Sequence, residues 1–173
     1  CVVDPRIPKA EERLEYWAVE RGCRGLRLRP RVAEETAVFE SPDILPLWEQ
    51  ATKLGIVVSV LANPSDLKRI GELAERFSEV SIVVDHLAHP EVEEGVDGKA
   101  FRTLLALALR KNIHIKISGY FNFSVQPDPY LDCWPLLKAL LDHYGPERLI
   151  WGSDFPHVER KTGYSRALAL VRN

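Results

Sequence analysis

Apolar residues along this chain alternate between two spacings, one typical of strands and one typical of helices. Short apolar runs predict strands at residues 1–4, 25–29, 56–61, 82–86, 113–118 and 149–154. Between these runs, apolar residues three and four positions apart predict helices. A regular alternation of strands and helices is the pattern of an α/β fold with a parallel sheet.

Residues that typically begin or end helices flank several of the predicted helices. Ser41 and Asn63 each stand before a proline, which is typical of an N-cap followed by the first helical turn. Gly55 follows the apolar face of the helix that begins after Ser41, and glycine suits the left-handed position at a helix end. These signals divide the chain into strand–helix units.

The six predicted units fit part of a (β/α)8 barrel. The 173 residues give about 29 per unit, close to the ~30 of a βαβ repeat. A closed barrel has eight units and usually ~250 residues. We therefore expect one barrel domain over residues 1–173 that is truncated at both ends and contains strands three to eight. The chain has no methionine, and it begins in a predicted strand and ends in a predicted helix. The two open sheet edges predict self-association into a homo-oligomer.

Strand alternation predicts which side chains face the barrel interior. Leu26 and Leu28 alternate with Arg27 and Arg29, so the two arginines are expected to point inward. The strand at 113–118 has isoleucine at every second position, which places Lys116 and Ser118 on the same inner side. An inner face with this many polar residues indicates a catalytic site on that side of the sheet.

Two predicted strands end in groups that suit catalysis. Asp154 ends the strand at 149–154 and is followed by Phe155-Pro156, and His86 ends the strand at 82–86. Active sites of α/β barrels lie at the C-terminal ends of the strands, and a carboxylate there can take a proton from an attacking water. The alternatives are that Asp154 caps the next segment and that Asp85 satisfies a structural His86.

The remaining polar candidates also have two interpretations each. Arg27 and Arg29 either meet an anionic substrate or form an internal ion pair, for example with Asp85 or Asp154. Lys116 either faces substrate or pairs with a carboxylate, and Ser118 either binds substrate or bonds to the backbone. His157 is placed at the barrel mouth by its position after the Asp154 motif, whereas His89 is expected to be exposed on a loop.

Composition limits the classes of partner and the cellular location that are expected for this chain. The net charge is −2, with 23 basic and 25 acidic residues well mixed, so no basic stripe predicts nucleic-acid binding. No apolar run approaches the ~20 residues that span a bilayer, and no leader pattern indicates secretion. Three widely spaced cysteines predict free thiols in a cytoplasmic protein.

Four motifs together resemble a known family. Gly25-Leu26-Arg27 is followed by Val-Asp-His-Leu-Ala-His-Pro at 84–90, Lys-Ile-Ser-Gly at 116–119 and Ile-Trp-Gly-Ser-Asp-Phe-Pro at 150–156. In this order they resemble the amidohydrolase-related family of metal-dependent hydrolase TIM barrels, in the branch of sugar-lactone and pyrone-dicarboxylate lactonases. The resemblance implies that Asp154 activates water and often ligates a metal, that His86 ligates metal or polarises the carbonyl, and that Arg27 meets an anionic substrate.

The chain departs from the family pattern in two places. The His-x-His pair of the family's first strand has no counterpart, and the strand-five position that is often histidine lies in Val58-Ser59-Val60. Two expectations for the cofactor therefore stay open: a divalent metal such as zinc on Asp154 and His86, or a site that works without metal, as in some lactonases of this branch.

These observations predict a hydrolase that opens a lactone or another cyclic ester or amide. Asp154 would be the general base, His86 the carbonyl polariser or metal ligand, and the substrate a small anionic or hydroxylated molecule. The substrate-binding residues expected around them are Arg27, Arg29, Lys116, Ser118 and His157. The alternatives are a decarboxylase of the same family, a catalytically incomplete fragment, and a doubly wound sheet, although no Gly-rich phosphate loop supports the last.

Overall fold

The computed structural model describes residues 1–29 and 38–172. Its five strands are β1 (Gly25–Leu28), β2 (Val57–Val60), β3 (Ile82–Val84), β4 (Ile113–Ile117) and β5 (Leu149–Trp151). Its α-helices are α1 (Ala10–Val19), α2 (Leu45–Leu54), α3 (Leu67–Arg76), α4 (Lys99–Ala106), α5 (Tyr120–Phe123), α6 (Trp134–Tyr144) and α7 (Tyr164–Leu170). Short 3-10 helices cover Pro42–Ile44, Pro64–Asp66, Asp85–Ala88, Val92–Asp97, Leu107–Leu109, Leu131–Cys133, Pro146–Arg148 and His157–Arg160.

The five strands form one parallel sheet in the order β1-β2-β3-β4-β5. Each strand pairs with the next strand along the chain. A doubly wound sheet reverses its strand order at a switch point, and no reversal occurs in the described residues, so that alternative is wrong. Sequential parallel pairing is the arrangement of a barrel wall, which confirms the predicted incomplete α/β barrel.

The predicted first strand is shorter than expected. It forms one parallel bridge, between Val2 and Arg27, beside β1. The Cys1 carbonyl accepts a hydrogen bond from the Arg27 backbone N–H at 2.8 Å. Asp4 and Pro5 begin a turn directly afterwards, and proline fixes its own φ and has no N–H to donate. The prediction of a strand over residues 1–4 is therefore correct in position but wrong in extent.

The two faces of the sheet differ as the alternation predicts. The face that packs against helices is apolar, and Leu26, Leu28, Val58, Val60 and Ile115 are buried on it. The opposite face, called here the inner face, carries Arg27, Ser59, Val83, His114, Lys116 and Ile150, as the strand register shows. The catalytic candidates must therefore be sought at the strand ends of the inner face.

The predicted helix signals are present in the structure. The Ser41 hydroxyl accepts a hydrogen bond from the Asp43 N–H at 3.2 Å, and Gly55 ends α2 with φ +61°. Asn63 and Asp66 form a reciprocal capping box ahead of α3. No helix in residues 1–29 and 38–172 is long and apolar enough to cross a membrane.

Helix α3 is expected to be held mainly by its buried apolar side. Ile70 is fully buried, whereas Lys68 on the same helix is exposed. We expect Ile70→Ala to lower the free energy of unfolding by about 2–5 kcal/mol, because it removes buried methyl groups and leaves a cavity. Urea titration followed by circular dichroism measures this loss. Lys68→Ala is the control, and equal losses in both variants would contradict the burial argument.

Candidate active site

Asp154 follows β5 and stands at the rim of the inner face. The strand ends at Trp151, the Gly152 N–H still bonds to the Ile117 carbonyl at 3.0 Å, and Asp154 has a left-handed backbone with φ +55°. Its side chain is 18% exposed. One carboxylate oxygen accepts a long hydrogen bond of 3.4 Å from the Asn122 amide, and the other lies 3.7 Å from His86 Nε2. Asp154 is thus accessible and only weakly engaged.

His86 reaches the same rim through an unusual backbone turn. Strict alternation from the buried Val84 would send the His86 side chain towards the helices. Instead the chain turns left-handed at four successive non-glycine residues, His86 to His89, with φ between +51° and +56°. Such residues are uncommon at positive φ. The turn brings the imidazole to Ser118, whose hydroxyl lies 2.8 Å from Nδ1.

The environment of His86 favours a neutral ring. Burial lowers the pKa of His86 below its ordinary value, and the nearby carboxylates of Asp154 and Asp85 oppose that effect only in part. A neutral imidazole keeps one nitrogen as donor and one as acceptor. Because Nδ1 is engaged with Ser118, Nε2 is the atom that His86 offers towards Asp154.

Two motif glycines make room for these side chains. A Cβ at Gly119 would lie 3.3 Å from His86 Nδ1, and Gly119 has φ +71°, a conformation that side chains disfavour. A Cβ at Gly152 would lie 3.1 Å from Lys116 Cδ and 3.3 Å from Ser118 Cβ. The glycines in Lys-Ile-Ser-Gly and Trp-Gly-Ser-Asp therefore have a local steric reason.

Next to this rim lies a cluster of charges that we call the Asp85 cluster, formed by Arg27, Ser59, Asp85 and Lys116. Asp85 Oδ1 accepts hydrogen bonds from Lys116 Nζ at 2.5 Å and from the Ser59 hydroxyl at 2.9 Å. Arg27 Nε donates to Oδ2 at 2.8 Å. The Asp85 side chain is 0% exposed, whereas those of Arg27 and Lys116 are 39% and 29% exposed. The structure shows the internal ion pair predicted for Arg27 and Lys116, and substrate binding by their exposed parts stays a prediction.

The pKa of Asp85 follows from these contacts. Burial alone would raise it, but the hydrogen bond and charge of Lys116, the Ser59 hydroxyl and the charge of Arg27 hold the pKa below its ordinary value. Asp85 is therefore a permanent anion near neutral pH.

The other sequence candidates occupy different places. Arg29 follows the end of β1 and is exposed, and His157 is exposed in the turn after Asp154. Ser118 is fully buried beneath His86, so it can act on a substrate only through that ring. The expectation that His89 is exposed is wrong: it is partly buried, its ring centroid lies 5.7 Å from that of His86, and its Nδ1 lies 3.2 Å from the Ala62 carbonyl.

Sequence reasoning missed three members of this region as site residues: Ser59, Asp85 and Asn122. The sequence indicates Asp85 as an ion-pair partner of the arginines or as a partner of His86, although alternation from Val83 already places it on the inner face. Asn122 lies in α5, and no local sequence signal connects it with Asp154.

Comparison with known proteins assigns the family. The model of the amidohydrolase family matches residues 1–172. The chain belongs to this family. A curated relative, an L-fucono-1,5-lactonase from Burkholderia ambifaria, is 28% identical over 162 residues, which are 94% of this chain and 56% of the relative. A 2-pyrone-4,6-dicarboxylate hydrolase from Comamonas testosteroni is 27% identical over 153 residues, which are 82% of this chain and 48% of that protein.

A solved structure supports the same assignment. An amidohydrolase from Burkholderia multivorans with bound zinc superposes with a TM-score of 0.78 at 26% identity, and the match covers 98% of this chain and 62% of the other. This amidohydrolase chain thus spans about half to three-fifths of the length of the proteins it matches.

The described residues supply only part of a metal site. Catalytic zinc usually has three protein ligands. His86 Nε2 and Asp154 Oδ1 are 3.7 Å apart and could supply two. Within residues 1–29 and 38–172, however, no group of three or more His, Cys, Asp or Glu side chains could hold a metal. This donor set does not fit a complete zinc site, so the chemistry below is derived without one.

The charge environment of Asp85 predicts an acid-side loss of stability. Its folded pKa lies below the unfolded value of about 3.9. Its contribution to the free energy of unfolding is therefore complete above about pH 5 and is lost as the pH falls through the folded pKa. A carboxyl ¹³C titration of aspartate-labelled protein, assigned with Asp85→Asn, measures the shift directly.

Asp66 is the internal control for this titration, because burial raises its pKa. We expect the Asp85 resonance to titrate at lower pH than the Asp66 resonance. The opposite order would show that burial dominates at Asp85 and that Lys116 and Arg27 do not compensate for it.

Proposed function

We propose that this protein is a hydrolase that opens a lactone with Asp154 as general base and His86 as carbonyl polariser. The observation that carries the proposal is the contrast between two inner-face carboxylates. Asp85 is buried with both oxygens engaged, whereas the Asp154 side chain is 18% exposed and, within residues 1–29 and 38–172, its carboxylate has contacts of 3.4 and 3.7 Å. Asp154 is therefore the carboxylate that is available to accept a proton.

In the proposed reaction, Asp154 takes a proton from water while the water oxygen attacks the lactone carbonyl carbon. His86, with the Ser118 hydroxyl donating to Nδ1, carries its proton on Nε2 and donates a hydrogen bond to the developing oxyanion. The ring C–O bond then breaks, and the proton on Asp154 passes to the leaving alkoxide. One water is consumed, and the products are a carboxylic acid and an alcohol.

Relatives and local charge together support the substrate class. One relative is named a lactonase of a hydroxyl-rich sugar lactone and another a hydrolase of a pyrone dicarboxylate. In the Asp85 cluster two cations share one carboxylate, so one positive charge is left in excess beside the rim. An anionic or hydroxylated lactone suits that charge, with Arg29 and His157 as further contacts from the mouth.

The domain extent, cellular location, self-association and zinc content of the protein are also part of the proposal. Residues 1–173 would form one barrel domain of a cytoplasmic enzyme, which accords with Cys1, Cys23 and Cys133 being free thiols. The outer strands of the five-stranded sheet would support association with a second copy. Zinc would be bound only with donors beyond the His86–Asp154 pair.

Removal of the base tests the reaction. We expect Asp154→Asn to lower kcat/KM for lactone opening by about 10²–10⁴-fold, because the amide cannot accept the proton. His86→Ala should lower kcat by a similar order because the oxyanion loses a hydrogen-bond donor. A pH-stat assay on 2-pyrone-4,6-dicarboxylate and L-fucono-1,5-lactone measures both rates.

Asp142→Asn is the matched control, because Asp142 is an exposed carboxylate paired with Lys138 on α6. It should leave the rates unchanged. Unchanged rates in Asp154→Asn would overturn the proposal. Release of CO₂ without incorporation of ¹⁸O from labelled water would instead identify the decarboxylase alternative.

A further inference from the structure

Asp85 differs from every other acidic residue in the described chain. Asp66 and Asp85 are the acidic residues buried there, and Asp66 accepts a hydrogen bond from the Asn63 N–H in a helix cap. Among the acidic residues in 1–29 and 38–172, Asp85 alone joins neighbouring strands: it follows β3 and bonds to Ser59 on β2, Arg27 on β1 and Lys116 on β4. A carboxylate covered in this way cannot touch a substrate.

Arg27 and Lys116, in contrast, are exposed enough to touch a substrate. Arg27 and Lys116 keep 39% and 29% of their side chains exposed on the inner face. Both side chains are long and lose rotamer freedom when they are fixed. The buried Asp85 carboxylate accepts a hydrogen bond of 2.8 Å or less from each of them. These bonds fix the direction of both side chains before a ligand binds.

The path of Lys116 shows the same constraint. Its stem packs so close to Gly152 that a Cβ there would lie 3.1 Å from Lys116 Cδ, and its ammonium then ends on Asp85. The backbone at Gly152 therefore confines the stem of Lys116, and the buried Asp85 carboxylate holds its ammonium group.

We propose that Asp85 is a positioning residue: its buried carboxylate holds Arg27 and Lys116 in the orientations in which they bind a carboxylate on the substrate ring. The inference rests on the proposed function, since it concerns the substrate of the same site. Asp85 takes no part in proton transfer, because both its oxygens are occupied by donors.

Binding of isophthalate to the full chain tests this role apart from catalysis. Isophthalate is a planar ring with two carboxylates and no lactone bond, so it reports binding whether or not the protein opens lactones. By calorimetry, we expect Asp85→Asn to weaken isophthalate binding at least about tenfold. The same substitution in the Arg27→Gln/Lys116→Gln background should change affinity less than about twofold, because Asp85 then has nothing to position.

Thermal midpoints give a second, ligand-free readout. Asp85→Asn should lower the midpoint of the wild-type chain. In the Arg27→Gln/Lys116→Gln background it should raise the midpoint, since the carboxylate there is buried without a cation. Asp66→Asn is the matched buried control, and it should shift the midpoint equally in both backgrounds and leave isophthalate affinity unchanged.

Three results with Asp85→Asn and the wild type would overturn the inference: equal loss of affinity from Asp85→Asn in both backgrounds, no loss in either, or no isophthalate binding by the wild type at millimolar concentration.

If Asp85→Asn alone does not fold, Ser59→Ala keeps every charge and removes one donor to Asp85. Ser59→Ala should weaken binding about threefold in the wild type and leave it unchanged in the double variant, and equal weakening in both would also overturn the inference. Failure of Asp154→Asn to slow lactone opening would overturn the proposed function only.

Discussion

The charge of Asp85 is the constraint on which the inner face of this sheet depends. A lone buried carboxylate is expensive, and removing the partner of a buried ion pair costs about 3–5 kcal/mol. Ser59, Arg27 and Lys116 each donate to it from a different strand. Because these donors come from β1, β2 and β4, the electrostatic requirement of one residue sets the direction of side chains across four adjacent strands. On the inner face, Arg27, Ser59, Asp85 and Lys116 therefore form a connected network.

This network explains why two carboxylates so close in the fold can have different roles. Asp85 is fixed as an anion and shielded by its donors, whereas Asp154 lies at the rim with an exposed edge and the neutral ring of His86 at 3.7 Å. Neighbouring carboxylates with different environments are how one site separates structural charge from proton transfer. The local geometry thus supports the proposed division of roles between Asp85 and Asp154.

Period-two alternation was enough to predict the sheet faces, because a parallel strand that packs against helices on one side must bury every second residue. Leu26 and Leu28 are buried and Arg27 lies on the inner face, as expected. The same rule fails at His86, where positive φ at four non-glycine residues reverses the side chain, and no glycine in 86–89 signals that turn. Pairing of Asp85 with Arg27 and Lys116 joins residues 58 and 31 positions apart, and local sequence does not encode which of several charges will meet.

The left-handed turn at His86 to His89 also explains why histidine and aspartate adjoin in this motif. Without the turn, consecutive residues after β3 would point to opposite faces of the sheet, and only one of Asp85 and His86 could serve the inner face. Left-handed conformations of residues other than glycine cost of order 1 kcal/mol each and persist where surrounding contacts determine them. Here Leu87 and Ala88 are buried and His86 bonds to Ser118, so packing holds the turn in place. Backbone strain at this one position is what allows a single strand end to supply both the charge that orders the inner face and the imidazole that faces Asp154.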